Sequence, residues 1–327
     1  MIPYRPSMKQ WIPWLIPSEA DVNIPGFVDT HIHGAYGVDV SDGICEDIKK
    51  LSVKLREDGV IAFCPTTMTL PEDKIFRCFE AVMRAKEELE AEGNAHSRVL
   101  GIHLEGPFFN RETAGVQDVS SLKEPKDGFS LIEKLEADYP GLLKIIDIAP
   151  ELPGAFDFIQ EFKDRYVISI AHTRADYDTA CRAFEAGVRS VTHLMNAMDP
   201  SLKRAPGILG ALSDHPDVFA ELICDGIHID QAYLRMLFKI LREDRIIVVS
   251  DSMRGAHMPN GIYKLADADV EVRDGRTYYG EGGNLAGSVT YMGQEAERLI
   301  AFGIPEEKVR AACYDNPLSR LGLKGIL

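Results

Sequence analysis

Residues 24–34 read Ile24-Pro25-Gly26-Phe27-Val28-Asp29-Thr30-His31-Ile32-His33-Gly34, an apolar run that ends in two histidines. In an extended chain, side chains two positions apart point the same way, so His31 and His33 project together from one strand end. Two imidazoles converging from a rigid strand form half of a metal site. Candidates for the other half also close apolar runs. Glu105 closes 98–105, His172 closes 166–172, His193 closes 190–193 and Asp251 closes 245–251.

An ionisable group at the end of such a run is costly to bury unless it is paired or metal-bound. Two histidines with a carboxylate form a catalytic zinc-type set that leaves one position open for water. Glu105, His172 and His193 meet that description from three separate strands, and His31 and His33 strengthen it. Asp251 is the natural general base, taking a proton during attack and later delivering it to a leaving group. A lone histidine is ordinarily a surface or hydrogen-bonded residue, which is the reading given to His96, His215 and His257. As a set, the strand-end residues point to a metal-dependent hydrolase.

Strand-like and helix-like segments alternate along the chain. Strands are expected at 24–33, 60–68, 98–105, 142–150, 166–172, 190–194, 218–227 and 245–251. Helical patterns between them include 45–57, 71–92, 154–164, 174–186 and 230–243. In the last, Leu234, Leu237, Phe238 and Leu241 share one face. Thr173 and Asp176 stand in capping-box spacing at the start of 174–186, which stops at Gly187. Eight β/α alternations fit a parallel (β/α)8 TIM barrel. A doubly wound open sheet gives the same alternation but gathers ligands mainly at one switch point. Polar candidates at the ends of at least five strands favour the closed barrel, whose mouth collects every strand end. Between Asn260 and Asn284, Asn260-Gly261, Asp274-Gly275 and Gly282-Gly283 mark a β-hairpin excursion over the mouth. Helical segments 288–302 and 305–320 follow. Residues 1–23 are read as an N-terminal extension and 24–327 as the barrel domain.

The 327 residues suit one such barrel. Fifty-one acidic against 36 basic residues give a net charge of −15, which argues against nucleic acid or an anionic membrane as partner. A small anionic substrate remains compatible, because a pocket can be locally positive. The six cysteines form no C-x-x-C pair and read as reduced thiols in a cytosolic protein. The chain has neither a signal-peptide pattern nor an apolar run of membrane-spanning length. A soluble, cytoplasmic protein is expected.

The motifs PGFVDTHIHG (25–34), GIHLEGPF (101–108), AHTRADYD (171–178), VTHLMNAM (191–198), DGIH (225–228), VVSDSMR (248–254) and NLAGS (284–288) run in one order across nearly the whole chain. This series resembles the N-acetylglucosamine-6-phosphate deacetylases, a branch of the amidohydrolase superfamily. The resemblance implies that Glu105, His172 and His193 are primary metal ligands. His31 and His33 match a pair that holds a second metal in some members. One or two divalent ions are therefore expected, zinc foremost, with iron, manganese or cobalt as alternatives. Asp251 matches the catalytic aspartate. Asn196, Ala197 and Arg204 match residues that bind the sugar phosphate, His228 a substrate-contacting histidine, and Leu285, Ala286 and Gly287 the loop that closes on the sugar. Arg204 can offer a fixed fork to phosphate oxygens.

Two departures from the family pattern stand out. Members usually carry a Gly-Ala-His-like turn whose histidine polarises the amide carbonyl. Here the turn reads Ala114-Gly115-Val116-Gln117, and the resemblance implies that Val116 and Gln117 face the substrate, with Gln117 in the place of that histidine. The family's small β-sandwich, built from strands flanking the barrel, is expected to be largely absent, which exposes barrel surface that a homodimer or larger homo-oligomer would cover. The reading is removal of the acetyl group from an N-acetylated hexosamine 6-phosphate. The rivals are another amidohydrolase reaction, on a different amino-sugar phosphate or a cyclic amide, and a non-catalytic sugar-phosphate sensor.

Overall fold

The computed structural model describes residues 24–93, 95–281 and 283–325. In it the apolar runs become eight short strands: β1 Phe27–Ile32, β2 Val60–Pro65, β3 Ile102–Phe108, β4 Leu143–Ile148, β5 Val167–Ile170, β6 Ser190–Val191, β7 Phe219–Leu222 and β8 Ile246–Val248. Their residues are buried almost throughout, and burial on both faces produces continuous apolar runs rather than alternation. β3 to β8 pair successively in parallel, as do β1 and β2. A parallel bridge from Thr66 to His103, with Leu100 N donating to Phe63 O at 2.9 Å, joins β2 to β3. The ring closes between β8 and β1, where Asp251 N donates to His31 O at 3.0 Å and Ser250 Oγ donates to Asp29 Oδ2 at 2.6 Å. The fold is a closed (β/α)8 barrel.

The third strand departs from its expected form. A two-residue piece, Arg98–Val99, pairs with β2 before the chain breaks at Gly101. Gly101 has φ +145°, and a Cβ there would lie 2.4 Å from Leu142 O. Only glycine fits this approach of two strands.

An outer ring of helices follows the strands in turn: Cys45–Glu57, Glu72–Glu92, Phe129–Asp138, Ala155–Phe162, Tyr177–Ala186, Gly207–Asp214, Gln231–Ile240 and Met292–Ala301. Phe129–Asp138 has no capping side chain and Gly207–Asp214 includes Gly210 in its interior, so both give weak local signals. The helix expected from 174 begins at Tyr177. Asp176 caps it by accepting from Thr179 N at 2.8 Å, while Thr173 lies outside and accepts from Ala175 N. The expected 305–320 helix is divided by a wide π turn over Ala311–Asp315.

After β8 an antiparallel excursion forms from β9 Gly261–Leu265, β10 Ala268–Arg273 and β11 Arg276–Tyr278. Asp274 and Gly275 turn the last hairpin with φ 52° and 74°, the positive pair that a two-residue I′ loop requires. Besides the barrel and this excursion, the described residues contain only the short pair Gly34–Ala35 with Val38–Asp39 as sheet. The segment 1–23, read as an extension, lies outside the described residues. All six cysteines are free. No helix among the described residues is long and apolar enough to cross a membrane.

Candidate metal centre at the barrel mouth

Several strands stop just short of the residues that carry the chemistry. Extended backbone ends at Ile170, Val191 and Val248, and His172, His193 and Asp251 then take φ values of 43°, 30° and 47°. Non-glycine residues pay for this left-handed conformation, and such strain collects at functional sites. Here the three strained residues stand together at the mouth.

Glu105 is the hub. Its Oε1 lies 3.1 Å from His172 Nε2, 3.2 Å from His193 Nε2 and 3.8 Å from His31 Nε2, and its Oε2 lies 3.3 Å from His33 Nε2. Asp251 Oδ1 lies 3.4 Å from His31 Nε2 and 3.2 Å from His33 Nε2. Glu105, His172 and His193 form one buried set of metal-ligand atoms, and His31, His33 and Glu105 form a second that shares the carboxylate. All five ligand candidates and Asp251 therefore converge.

Three of the imidazoles are oriented from behind. His31 Nδ1 is 3.3 Å from Glu221 Oε2, His33 Nδ1 is 3.2 Å from Thr66 O and His172 Nδ1 is 2.9 Å from Thr113 O. An acceptor on Nδ1 fixes the proton there and leaves Nε2 as the ligand atom, the arrangement common behind metal-bound histidines. His193 Nδ1 is buried without a hydrogen-bond partner.

The charges also fit a cation. Burial opposes ionisation of Glu105, yet His172, His193, His33 and His31 hold its carboxyl well below the usual range. Burial opposes protonation of His33 and His193, but Asp251 and Glu105 around His33, and chiefly Glu105 at His193, raise both to about 9. The pair of carboxylates thus draws positive charge into a buried pocket. A divalent ion on the imidazole nitrogens would meet that demand, displacing any protons there.

Gln117 is buried behind Glu105. Its Nε2 donates to Glu105 Oε2 at 2.8 Å, and its Oε1 accepts from Thr69 N at 2.6 Å, which fixes the amide orientation. The amide expected to stand at the substrate carbonyl is thus engaged with the hub carboxylate. Gln117→Ala is expected to lower turnover and also to loosen metal binding, because Glu105 loses a donor. If metal affinity is unchanged and only turnover falls, Gln117 acts on the substrate rather than on Glu105. Gln117→His, which supplies the histidine that the resemblance implies, measured for metal affinity and turnover together, separates the same alternatives.

Val116 is half-buried beside Gln117. Asn196 Nδ2 donates to His193 O at 3.2 Å, and Ala197 has φ 52° with its carbonyl accepting from Thr173 N. His228 Nδ1 is 2.7 Å from Asp225 Oδ2; burial alone would lower its pKa, but Asp225 prevails and raises it. His228 and Leu285 lie around one shallow surface dip, together with Arg276 and Thr277 of β11. Ala286 is buried, and Gly287 O accepts from Thr277 Oγ1 at 2.6 Å, while Ser288 N donates to Asp251 O at 2.7 Å. The 285–287 loop is therefore tied both to the excursion and to the end of β8. Arg204 is exposed, and its side chain makes no hydrogen bond or ion pair among the described residues.

Some participants escaped the sequence reading. Glu221 stands behind His31, and His103 Nε2 lies 3.0 Å from Asp147 Oδ1 in the barrel interior. Glu221 is the lone charge in Val218-Phe219-Ala220-Glu221-Leu222-Ile223-Cys224, the same kind of signal that singled out Glu105. The histidines set aside do lie elsewhere: His96 Nε2 bonds Leu89 O, His215 Nδ1 bonds Ala211 O, and His257 stacks on Tyr36.

Residues 22–309 match the model of the amidohydrolase family. The chain is 36% identical over 284 residues to the N-acetylglucosamine-6-phosphate deacetylase of Bacillus subtilis (strain 168), covering 86% of this chain and 70% of that one. It belongs to the amidohydrolase family, in its N-acetylglucosamine-6-phosphate deacetylase branch. It is also 30% identical over 312 residues to the N-acetylgalactosamine-6-phosphate deacetylase of Escherichia coli O157:H7, covering 94% of this chain and 80% of that one. Among solved structures, it resembles the N-acetyl-D-glucosamine-6-phosphate deacetylase of Mycobacterium smegmatis in complex with N-acetyl-D-glucosamine-6-phosphate. That match has a TM-score of 0.84 and 30% identity, over 92% of this chain and 78% of the other. The N-acetylglucosamine-6-phosphate deacetylase of Thermotoga maritima gives a TM-score of 0.81 at 30% identity, over 92% and 79%.

Proposed function

We propose that this amidohydrolase removes the acetyl group from N-acetylglucosamine 6-phosphate, giving glucosamine 6-phosphate and acetate. The observation that carries the reading is the convergence of Asp251 with Glu105 and four histidines in one buried centre of a chain from this branch. Residues 24–327 are taken as the hydrolase domain. A divalent ion, zinc in this reading, would be held by Glu105, His172 and His193, and a second could be held on the His31 and His33 side. When bound, the metal supplies Lewis-acid chemistry, lowering the pKa of water and polarising the amide carbonyl.

The chain's own residues do the rest. Burial works against ionisation of Asp251, but His33, His31 and His193 keep its pKa below the usual value, so it stands ready to accept a proton. Water oxygen adds to the carbonyl carbon and its proton passes to Asp251. The same proton moves to the sugar nitrogen as the C–N bond breaks. His228, held by Asp225 and near Leu285, suits a substrate hydroxyl or phosphate oxygen. Arg204, exposed and unengaged, suits the phosphate. Arg204→Ala is expected to weaken apparent affinity for the phosphorylated sugar by at least about tenfold, the equivalent of a charge-assisted bond of roughly 1.5–3 kcal/mol. The loss should nearly vanish on the free sugar; equal losses on both would make Arg204 structural.

The N-acetylgalactosamine-6-phosphate deacetylase relative supports a second reading, in which the epimeric sugar phosphate is preferred. Comparing kcat/KM for acetate release from the two 6-phosphates tests both. A preference for the galactosamine epimer selects the second, and no release from either removes the function proposed. The enzyme is further read as cytoplasmic and as a homo-oligomer.

A further inference from the structure

The helical segment Asn316–Arg320 lies far along the chain from every ligand candidate, yet it reaches into the barrel. Asn316 Nδ2 donates to Glu243 O at 2.8 Å and Ile246 O at 2.7 Å, which pins the segment to the start of β8. Leu318 is buried in one apolar cluster with Val28, Ala62, Cys64 and Leu100. From this anchored segment the side chain of Arg320 enters the interior and is fully buried. Its Nη1 donates to Glu221 Oε1 at 2.5 Å and to Ser190 Oγ at 3.0 Å, and its Nη2 donates to Thr30 Oγ1 at 2.5 Å. The other oxygen of Glu221 faces His31 Nδ1 at 3.3 Å.

We propose that Arg320 and Glu221 are positioning residues for the metal centre: Arg320 fixes the Glu221 carboxylate, and Glu221 holds His31 with its Nε2 turned toward Asp251 and Glu105. The inference rests on the metal-centre reading above. A guanidinium suits the task because its planar fork serves Glu221, Ser190 and Thr30 at once, which a flexible ammonium does not. A carboxylate buried this deeply would be costly without such a partner. Burial disfavours the charged form of Glu221, but Arg320 and His31 outweigh it and lower its pKa.

The neighbouring geometry argues against a separate ion at this depth. His31, His103 and Glu221 also bring ligand atoms within metal distance of one another. However, the Arg320 charge already occupies Glu221, and His103 Nδ1 is 3.0 Å from Thr30 O while its Nε2 is 3.0 Å from Asp147 Oδ1. This inner layer orients the centre above it and does not compete for its metal.

The test uses the metal-free full chain, titrated with Zn²⁺ against a chelating indicator, with circular dichroism to establish that each variant is folded. Glu221→Gln is expected to weaken one of two Zn²⁺ ions by roughly tenfold or more, the usual cost of losing an outer orienting group. Arg320→Lys should weaken the same ion. The double variant should bind about as Glu221→Gln does alone, because both changes act through one path. With nine histidines in the chain, imidazole ¹⁵N spectra give an independent signature. The His31 Nδ1–H form should dominate in the wild type and lose that dominance in Glu221→Gln. Wild-type affinity for both ions in the two single variants, with His31 unchanged, would overturn the proposal. So would additive losses in the double variant, which a general weakening of the barrel produces. If the wild type binds fewer than two ions but His31 still responds, the paired-metal reading fails and the positioning role stands.

Discussion

Asp251→Asn is expected to reduce turnover by roughly 10²–10⁴-fold, the range for losing a general acid–base group. The amide has nearly the shape of the carboxylate, so the strained turn after β8 should persist. Its backbone bonds, from Asp251 N to His31 O and from Ser288 N to Asp251 O, do not involve the side chain. What is lost is an oxygen that can accept a proton from water and return it to the leaving nitrogen. Metal content should change much less than kcat, since Glu105, His172 and His193 form a ligand set without Asp251. Steady-state kinetics on N-acetylglucosamine 6-phosphate with metal analysis of the same sample checks this. Turnover within about tenfold of wild type would show that another group moves the proton.

His193→Ala should remove metal and activity together. His193 Nε2 is one of the nitrogens closest to the hub carboxylate, at 3.2 Å from Glu105 Oε1. A three-ligand set reduced to two is expected to lose at least about a hundredfold in affinity, at or beyond the upper end of what outer-layer changes cost. The barrel should survive, because its closure runs through backbone bonds between β8 and β1 and through the joint at Thr66 and His103. Metal analysis, circular dichroism and kinetics on one preparation decide the matter. A folded variant with full metal and normal turnover would exclude His193 as a ligand.

Much of this protein was legible in its sequence because the relevant signals are local. Barrel strands buried on both faces must be short apolar runs, so their positions were readable to within a few residues. A charged residue closing such a run is conspicuous, which exposed Glu105, His172, His193 and Asp251, and period-two geometry exposed His31 with His33. Asp274-Gly275 announced a hairpin because two successive positive φ angles admit few residue types. Where local signals were weak, the reading was too: Thr173 had the spacing of a cap, but Asp176 filled the position.

Tertiary structure decided how distant residues face one another. An open sheet and a closed barrel share one alternation, and the bonds between the ends of β8 and β1, Asp251 N to His31 O and Ser250 Oγ to Asp29 Oδ2 among them, close the ring. The sequence drew attention to Gln117 but could not show that its amide reaches Glu105 Oε2 and accepts from Thr69 N. Glu221 stands 190 positions from the His31 it orients, and Arg320 stands 290 positions from Thr30. Periodicity and turn chemistry act over a few residues and can be read from the chain. Hydrogen-bond partners in a barrel interior are set by strand order and register, and these exist only once the ring has closed.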